Sequence, residues 1–365
     1  MPKIAKITEL PETQLSPEHA QMIWDRVNKF AAYGFNKSHA AAYAVIAFRT
    51  AYLKRHYPYE FYAASMNLDL DKREKLAEFN RECQREGLKV LPPNVNTSQA
   101  TFSVRRRQDG TADAIRWALA AIGGVGVAAM RGVIAERDAK GRFTSFEEFV
   151  RRTIAWCNKK CYENLILAGA CDDLKLSRKA MLHALETVIK CAQTEAKEAE
   201  SPQASLFGDA LPAQTRSTVK DLPEMPRLEL LEKEFAALGV YVSGHPIDSV
   251  RGAIARTQAK SIAEVLSPRF TWRTAKVGVL ALKVESRMTR KQEQMGIVMM
   301  SDPTGMYEAV VFPDDFRRLR QTLKQGEAYI LTLGVSERDG QRSFSVRDAE
   351  PLKLEALTPA LGQVA

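Results

Sequence analysis

Gly124-Val125-Gly126-Val127-Ala128-Ala129 is the segment in which residue types and spacing point most directly to chemistry. It formally satisfies G-x-G-x-x-A, the turn that closes backbone amides on a pyrophosphate, and Glu147 stands about 20 residues on, where a dinucleotide-binding unit places its ribose-binding acid. The stretch after it, Arg142-Phe143-Thr144-Ser145-Phe146-Glu147-Glu148, is polar and helix-starting, where that unit needs a second apolar strand. The better reading is a helix-hairpin-helix, in which glycines let amides at a helix N-terminus close on a phosphate with no side chain in the way. Gly124, Gly126, Val127 and Ala128 would supply the amides, with Arg131 one helical turn beyond; a plain packing turn is the alternative. Leu167-Ala168-Gly169-Ala170 reads as a second, weaker unit whose single glycine also suits a purely structural role.

Four other groups could carry chemistry. Lys37-Ser38-His39 sits where a polar turn enters a helix, so Ser38 reads as a cap and the helix dipole with Lys37 as an anion site; an ordinary surface cap is the competing reading. Asp69-Leu70-Asp71 has the spacing of a two-metal carboxylate pair, but it lies at a helix boundary without a strand context, which favours capping. Cys157, Cys161, Cys171 and His183 match no common zinc spacing, and Cys157 and Cys161 read as buried helix positions, so no metal site is expected. Gln203-Ala204-Ser205-Leu206-Phe207 puts two large apolar side chains in an acidic, proline-bearing stretch. Such a peptide, with Gln203, Ser205, Leu206 and Phe207 as its contacts, suits a hydrophobic pocket on a partner.

The elements that must position these residues follow from periodicity. Residues 17 to 76 are helical, with Met22, Ile23, Val27, Phe30 and Ala31 spaced at three and four, an Ala-rich helix from His39 to Lys54, and another from Glu60. A helix from Asp71 to Arg85 ends at Gly87, Val90 to Pro93 is extended, and Ile115 to Leu185 reads as short helices broken at the two glycine turns. From Ala199 to Pro226 no period survives. Beyond Ala275 the period becomes two: Val277–Val284, Ile297–Met300, Tyr307–Phe312, Ala328–Val335 and Phe344–Val346 are β-rich, with a helix from Asp314 to Leu323 after the third. That order is the OB-fold's, a five-stranded barrel that binds oligonucleotides, with a sandwich or another small barrel as alternatives. Its candidate binding loops are Arg287 to Gln294, carrying Arg287, Arg290 and Lys291, and Glu337 to Arg342.

The chain of 365 residues is long enough for two or three domains. Its net charge of +9 is unevenly spread: twelve basic against six acidic residues from Arg105 to Lys160, fourteen against nine from Arg269 to Arg347, and five against nine from Gln193 to Glu234. Two basic modules joined by an acidic segment fit contact with a polyanion, and ordinary solvated surface is the bland alternative. The weakly polar stretches are shorter than the roughly 18 residues of a membrane span, Met1 to Leu10 lack an apolar signal core, and five cysteines without C-x-x-C give no disulfide framework. A reducing cytoplasm is expected, with no membrane contact.

The order of these parts resembles the C-terminal portion of the bacterial replicative DNA polymerase III alpha subunit, from about Ala20 to Pro351. Tyr33-Gly34-Phe35-Asn36-Lys37-Ser38-His39-Ala40-Ala41-Ala42-Tyr43-Ala44 resembles the family's fingers signature. Leu91-Pro92-Pro93-Asn94-Val95-Asn96, the glycine hairpin, Leu167 to Ala170, the Q-x-x-L-F peptide and Ser243-Gly244-His245-Pro246 follow in the family's order. The Asn36-Lys37-Ser38 turn favours the replicative type over its error-prone paralogue. The resemblance implies a multidomain α+β chain: distal fingers (1–100, helical), tandem helix-hairpin-helix (101–198), a linker with a clamp-binding peptide (199–226), a helical connector (227–270), the OB-fold (271–350) and a tail (351–365). It implies primed DNA as ligand, duplex at the hairpins and single-stranded template at the barrel, a sliding clamp as partner, and Lys37, Ser38 and His39 on the nucleotide side of the fingers. In the family the PHP domain, the palm with its Mg²⁺-binding aspartates and the thumb precede the fingers signature, and a clamp-loader-binding domain follows the barrel. A fragment or split gene product is therefore expected, with no catalytic residue and no cofactor of its own, and with a palm-bearing chain as partner if the gene is split. A stand-alone DNA-binding accessory protein and an OB-containing RNA-binding enzyme are the rival readings.

Overall fold

The computed structural model describes residues 16–32, 37–200, 219–289, 291–338 and 341–354. The chain divides into two units at Pro58/Tyr59.

The first unit contains helix α1 (Pro17–Ala32) and helix α2 (Lys37–His56). Apolar side chains run all round α2, and none of its residues is buried within the unit.

In the second unit the chain continues through α3 (Pro58–Leu68), α4 (Arg73–Arg85), β1 (Val90–Leu91), β2 (Ser103–Arg106) and β3 (Ala112–Arg116). The three strands form a small sheet in the order β1-β3-β2, parallel between β1 and β3 and antiparallel between β3 and β2. This sheet corrects the all-helical reading of the region: Ile115 and Arg116 belong to a strand, paired with Val90 and Leu91. Then come α5 (Val127–Lys140), α6 (Phe146–Thr153), α7 (Lys159–Leu167) and the long α8 (Arg178–Glu200). One core joins them, with Tyr62, Met66 and Leu76 in the same cluster as Trp117, Met130, Phe149 and Leu165. Residues 59–100, which the sequence groups with the first helices, therefore share their core with the hairpin region.

Buried polar groups pin this core at its loops. Arg137, 6% exposed, donates to the carbonyls of Ser98 and Val95, and Asn96 exchanges two bonds with the backbone of Phe143. Arg178 holds both oxygens of Asp172, donates to the Leu167 carbonyl and lies 3.9 Å from Glu234.

Of the segment read as a linker, residues 199 and 200 complete α8 and 201–218 lie outside the described residues. Residues 219–226 have no helix or strand, as their lack of period implies, yet they are docked. Ser177 Oγ donates to the Leu222 carbonyl, and the Glu224 carboxylate accepts from the first amides of α8, at Arg178 and Lys179, where the helix dipole favours an anion.

The connector comprises α9 (Arg227–Leu238), a 3-10 turn at Pro246–Val250, α10 (Arg251–Arg256) and α11 (Ile262–Leu266). His245, 4% exposed, fixes its turn: Nδ1 accepts from the Ile247 amide and Nε2 meets Ser301 Oγ at 3.0 Å. Burial holds this imidazole down at about 4.

The barrel consists of β4 (Thr274–Met288), β5 (Gln294–Asp302), β6 (Gly305–Val311), α12 (Pro313–Leu319), β7 (Ala328–Arg338) and β8 (Gln341–Leu352). It closes in the order β4-β5-β6-β8-β7, with β7 back against β4 and a parallel β6·β8 pair. Five strands closed in that order, with a helix between the third and fourth, make the OB-fold expected from the sequence. Alternation along each strand sends Val277, Val279, Val298, Met300, Leu331, Leu333 and Val346 inward.

Candidate nucleic-acid interface

The first glycine hairpin is built so that its amides stay open. A 3-10 turn at Leu119–Ala121 leads into it, and the buried Val125 anchors it by donating to the Ile122 carbonyl. Gly124 lies at φ +76, a conformation that side chains disfavour, and Asn164 Nδ2 stands where its Cβ would be while donating to the Gly123 carbonyl at 2.6 Å. Gly126 caps α5 in an extended conformation, φ −84 and ψ 143, with no side-chain bond to the helix. Among the described residues, the amides of Gly124, Gly126, Val127 and Ala128 have no hydrogen-bond partner. Gly124, Gly126 and Ala128 are exposed, no acid occupies the first turn of α5, and the exposed Arg131 follows one turn later. Unpaired amides at a positive helix end with a nearby guanidinium are chemically suited to a phosphate.

Sequence reasoning missed one cation here. Arg73, at the start of α4, lies directly over Gly123, its Nη2 occupying the space of a Cβ, while Nη1 donates to the Ala236 carbonyl. The Gly123 amide itself donates to Ala237, so the hairpin is hitched to the end of α9. No local pattern marks Arg73, because its place depends on a contact 163 residues along the chain.

The second hairpin has the opposite construction. The amides of Ala168, Gly169 and Ala170 donate back to Asn164, Ile166 and Leu165, the Ala170 carbonyl accepts from Val95, and Arg178 covers Gly169. Its donors are spent inside the protein, which leaves it the structural role.

The turn between α5 and α6 is cross-linked by side chains. Arg152 bridges Glu136 and Glu148 and lies 4.5 Å over the Phe143 ring. Bonds from Thr144, and then Arg152, hold the Glu148 carboxyl down at about 2. Cys157, Cys161 and Cys171 are buried nearby, and burial pushes the Cys171 thiol up; His183 is exposed. No group of three metal-ligating side chains occurs among the described residues. Asp69 accepts from Lys72 Nζ at 2.7 Å in the turn after α3.

On the barrel, Arg287 and Lys291 are exposed on the β4–β5 hairpin, with Arg287 3.5 Å from Glu285; Arg290 lies outside the described residues. The tip is closed by Thr289 and Glu293, and Gln292 has a positive φ. The second expected loop needs a correction at Arg342. Its guanidinium donates to the carbonyls of Val265 and Phe270, tying α11 to the barrel, so it is not available to a ligand.

In the first unit, Lys37, Ser38 and His39 are exposed on the first turn of α2, and the His39 ring packs on Tyr43 at 4.4 Å. The helix already includes Lys37, so Ser38 stands inside its first turn instead of capping it. Gln203, Ser205, Leu206 and Phe207 lie outside the described residues.

Known proteins match this arrangement along the chain. A family model described as a helix-hairpin-helix motif matches residues 87–181. DNA polymerase III subunit alpha of Caulobacter vibrioides is 35% identical over 354 residues, covering 96% of this chain and 30% of the relative. Its counterpart from Xylella fastidiosa is 36% identical over 344 residues (90% and 28%), and that of Escherichia coli K12 is 33% identical over 344 residues (93% and 29%). Among solved structures, the OB domain of a Methanosarcina mazei protein aligns with 29% of this chain and 91% of its own, at 20% identity and a TM-score of 0.21. The chain spans about 30% of the length of the first of these relatives. Over nine-tenths or more of its length, this chain is a relative of the bacterial DNA polymerase III alpha subunits, matching one stretch of them from the helical segments through the hairpin region to the OB-fold barrel.

Proposed function

We propose that this chain is the DNA-holding part of a replicative DNA polymerase III alpha subunit. The observation that carries the reading is the open row of amides at Gly124, Gly126, Val127 and Ala128, beside Arg131 and Arg73. Amides and guanidiniums grip phosphates without reading bases, as a polymerase that must travel along any sequence requires. The barrel takes the single-stranded template, through Arg287, Arg290 and Lys291 among others. Gln203, Ser205, Leu206 and Phe207 bind the sliding clamp, and Lys37, Ser38 and His39 lie on the nucleotide side of the fingers.

In this reading, the carboxylates that hold Mg²⁺ for nucleotide addition belong to a palm in the part of the relatives that this chain does not span. If the gene is split, a palm-bearing polypeptide is its partner in the cytoplasm; in either case these residues contribute grip and processivity to the enzyme. Binding of a labelled primed duplex by the purified chain tests it. Affinity should fall by orders of magnitude between about 50 and 200 mM salt, as phosphate contacts release counterions. No nucleotide should be incorporated with Mg²⁺ until a palm-bearing chain is added. Salt-independent binding, or template-directed extension by this chain unaided, refutes the reading.

A further inference from the structure

A polar cavity of about 140 Å³ lies where three parts of the second unit meet: α4, the connector and the β5–β6 turn of the barrel. Two contacts close the seam around it. Arg81 Nη1 on α4 donates to the Met306 carbonyl near the start of β6, and His245 of the connector meets Ser301 of β5. The cavity is smaller than the roughly 300 Å³ of a drug-sized pocket, yet it has room for a small ion with several waters.

Its lining carries hydrogen-bond donors for which the described residues supply no acceptor. Asn80, 5% exposed, makes no side-chain hydrogen bond among them. Arg81, the next residue, has no ion pair there; its Nε is buried without a partner, and Nη2 makes no bond. Ser301, 1% exposed, is a third donor. The neutral His245 ring accepts at Nδ1 from the Ile247 amide, so its proton sits on Nε2 and is donated to Ser301 Oγ, which leaves the hydroxyl proton unclaimed. The Tyr241 hydroxyl is a fourth, without a partner among the described residues, on a ring held between Phe235 and His245. The two acids of the lining are spent elsewhere. Asp302 accepts from the Ile262, Thr304 and Gly305 amides and from Thr304 Oγ1, and Asp248 accepts from the His245 amide and from Arg251.

A buried carboxamide without a partner and a half-buried guanidinium without a counter-ion are each costly. Water would satisfy the amide and leave the charge. A metal cation would face donors, and an apolar ligand would leave all four unpaired. An oxyanion answers both needs. Because the donors come from three separate elements, a tetrahedral oxyanion, with acceptors on every side, suits them better than a planar carboxylate.

We propose that this seam binds a phosphate-class oxyanion through Asn80, Arg81, Ser301 and Tyr241, and that the ion ties the barrel to α4 and so to the hairpin region. The site does not depend on the DNA-holding reading: its occupant is free phosphate or a phosphate of a DNA strand, and the assay separates the two. Inorganic phosphate is titrated calorimetrically, at constant ionic strength, into the full chain carrying Gly126→Val, which blocks the hairpin amides as a competing site. Binding with a dissociation constant of about 1 mM or tighter is expected. Adding Asn80→Leu or Arg81→Met should weaken it at least about tenfold, and Arg81→Lys should weaken it less. Since Asn80 has no partner to lose, Asn80→Leu should keep or raise the melting temperature in phosphate-free buffer while abolishing the rise that phosphate gives the parent. A melting temperature lowered in phosphate-free buffer would make Asn80 a structural residue and overturn the proposal. So would a parent that binds no phosphate, or equal binding by parent and variants; the hairpin's role in holding DNA survives each of these. A labelled duplex with the otherwise unaltered chain then identifies the source: affinity lost in Asn80→Leu and Arg81→Met assigns the site to a strand phosphate, and unchanged affinity to the free ion.

Discussion

Gly126→Val and Gly124→Ala should separate DNA binding from stability, although the two glycines are two residues apart in one hairpin. Gly126 has an extended backbone that valine favours, and nothing lies within 4 Å of the Cβ position. The stability cost is the weaker helix cap, about 1 kcal/mol, which moves the melting temperature of a unit this large by about 2 °C. The new isopropyl group would stand in front of the open amides. Losing one amide–phosphate bond costs about 1.5–3 kcal/mol, so duplex affinity should fall about 10- to 150-fold. Gly124→Ala works the other way. A φ of +76 costs a Cβ-bearing residue about 1–2 kcal/mol. Displacing Asn164, which leaves the Gly123 carbonyl unpaired, adds roughly 1 kcal/mol more. The melting temperature should then drop by about 5 °C. The assay is anisotropy of a labelled duplex, with circular dichroism melts of both variants. Wild-type affinity in Gly126→Val would mean that the hairpin is a packing turn; a melting loss as large as that of Gly124→Ala would mean that Gly126 is not free on one side.

Three other outcomes are expected. His245, held neutral by burial at about 4 against an ordinary 6.5, takes up its proton more readily when unfolded; its contribution to stability is complete above about pH 6.5 and declines as pH falls toward 4. His245→Asn should flatten that part of the pH–melting profile, and an unaltered slope would clear His245 of the effect. Arg178→Met should destabilise by about 3 kcal/mol, read by denaturant unfolding, because the buried Glu234 loses its neighbouring cation and the Leu167 carbonyl its donor. Leu206→Ala with Phe207→Ala should abolish calorimetric binding to the sliding clamp at an unchanged melting temperature, since burying both side chains on a partner contributes about 3–6 kcal/mol before ordering costs. A large fall in melting temperature would instead place the pair in this chain's own core.

The barrel was legible because its inward residues alternate over long runs, and the first hairpin because glycine is demanded where amides must be approached. The β1–β3 sheet was not. Its strands are two to five residues long, β2 reads Ser103-Val104-Arg105-Arg106, and its parallel pair is made by residues 25 apart. No period can declare such a sheet. Nor could the sequence separate the two hairpins, whose difference lies in whether their amides are consumed by Asn164, Ile166 and Leu165. The same limit applied to Arg73 and Arg342. Each reads as one more surface cation, yet one lies over Gly123 and the other staples α11. Residues 219–226 hid their docking for a related reason, being held by a hydroxyl and a carboxylate at a helix end instead of by a repeating apolar face.

That docking fixes where the intervening stretch of chain must begin and end. The stretch 201–218 leaves from one end of α8 and rejoins the protein beside the other, across a helix of 23 residues that is about 34 Å long. Leu206 is six residues from Glu200, so covalent reach keeps it within about 20 Å of the helix's far end. Any pull on the stretch 201–218 would enter α8 at its last turn on one side and at the Glu224 anchorage on the other. The helix would then act as a tie-rod between the two.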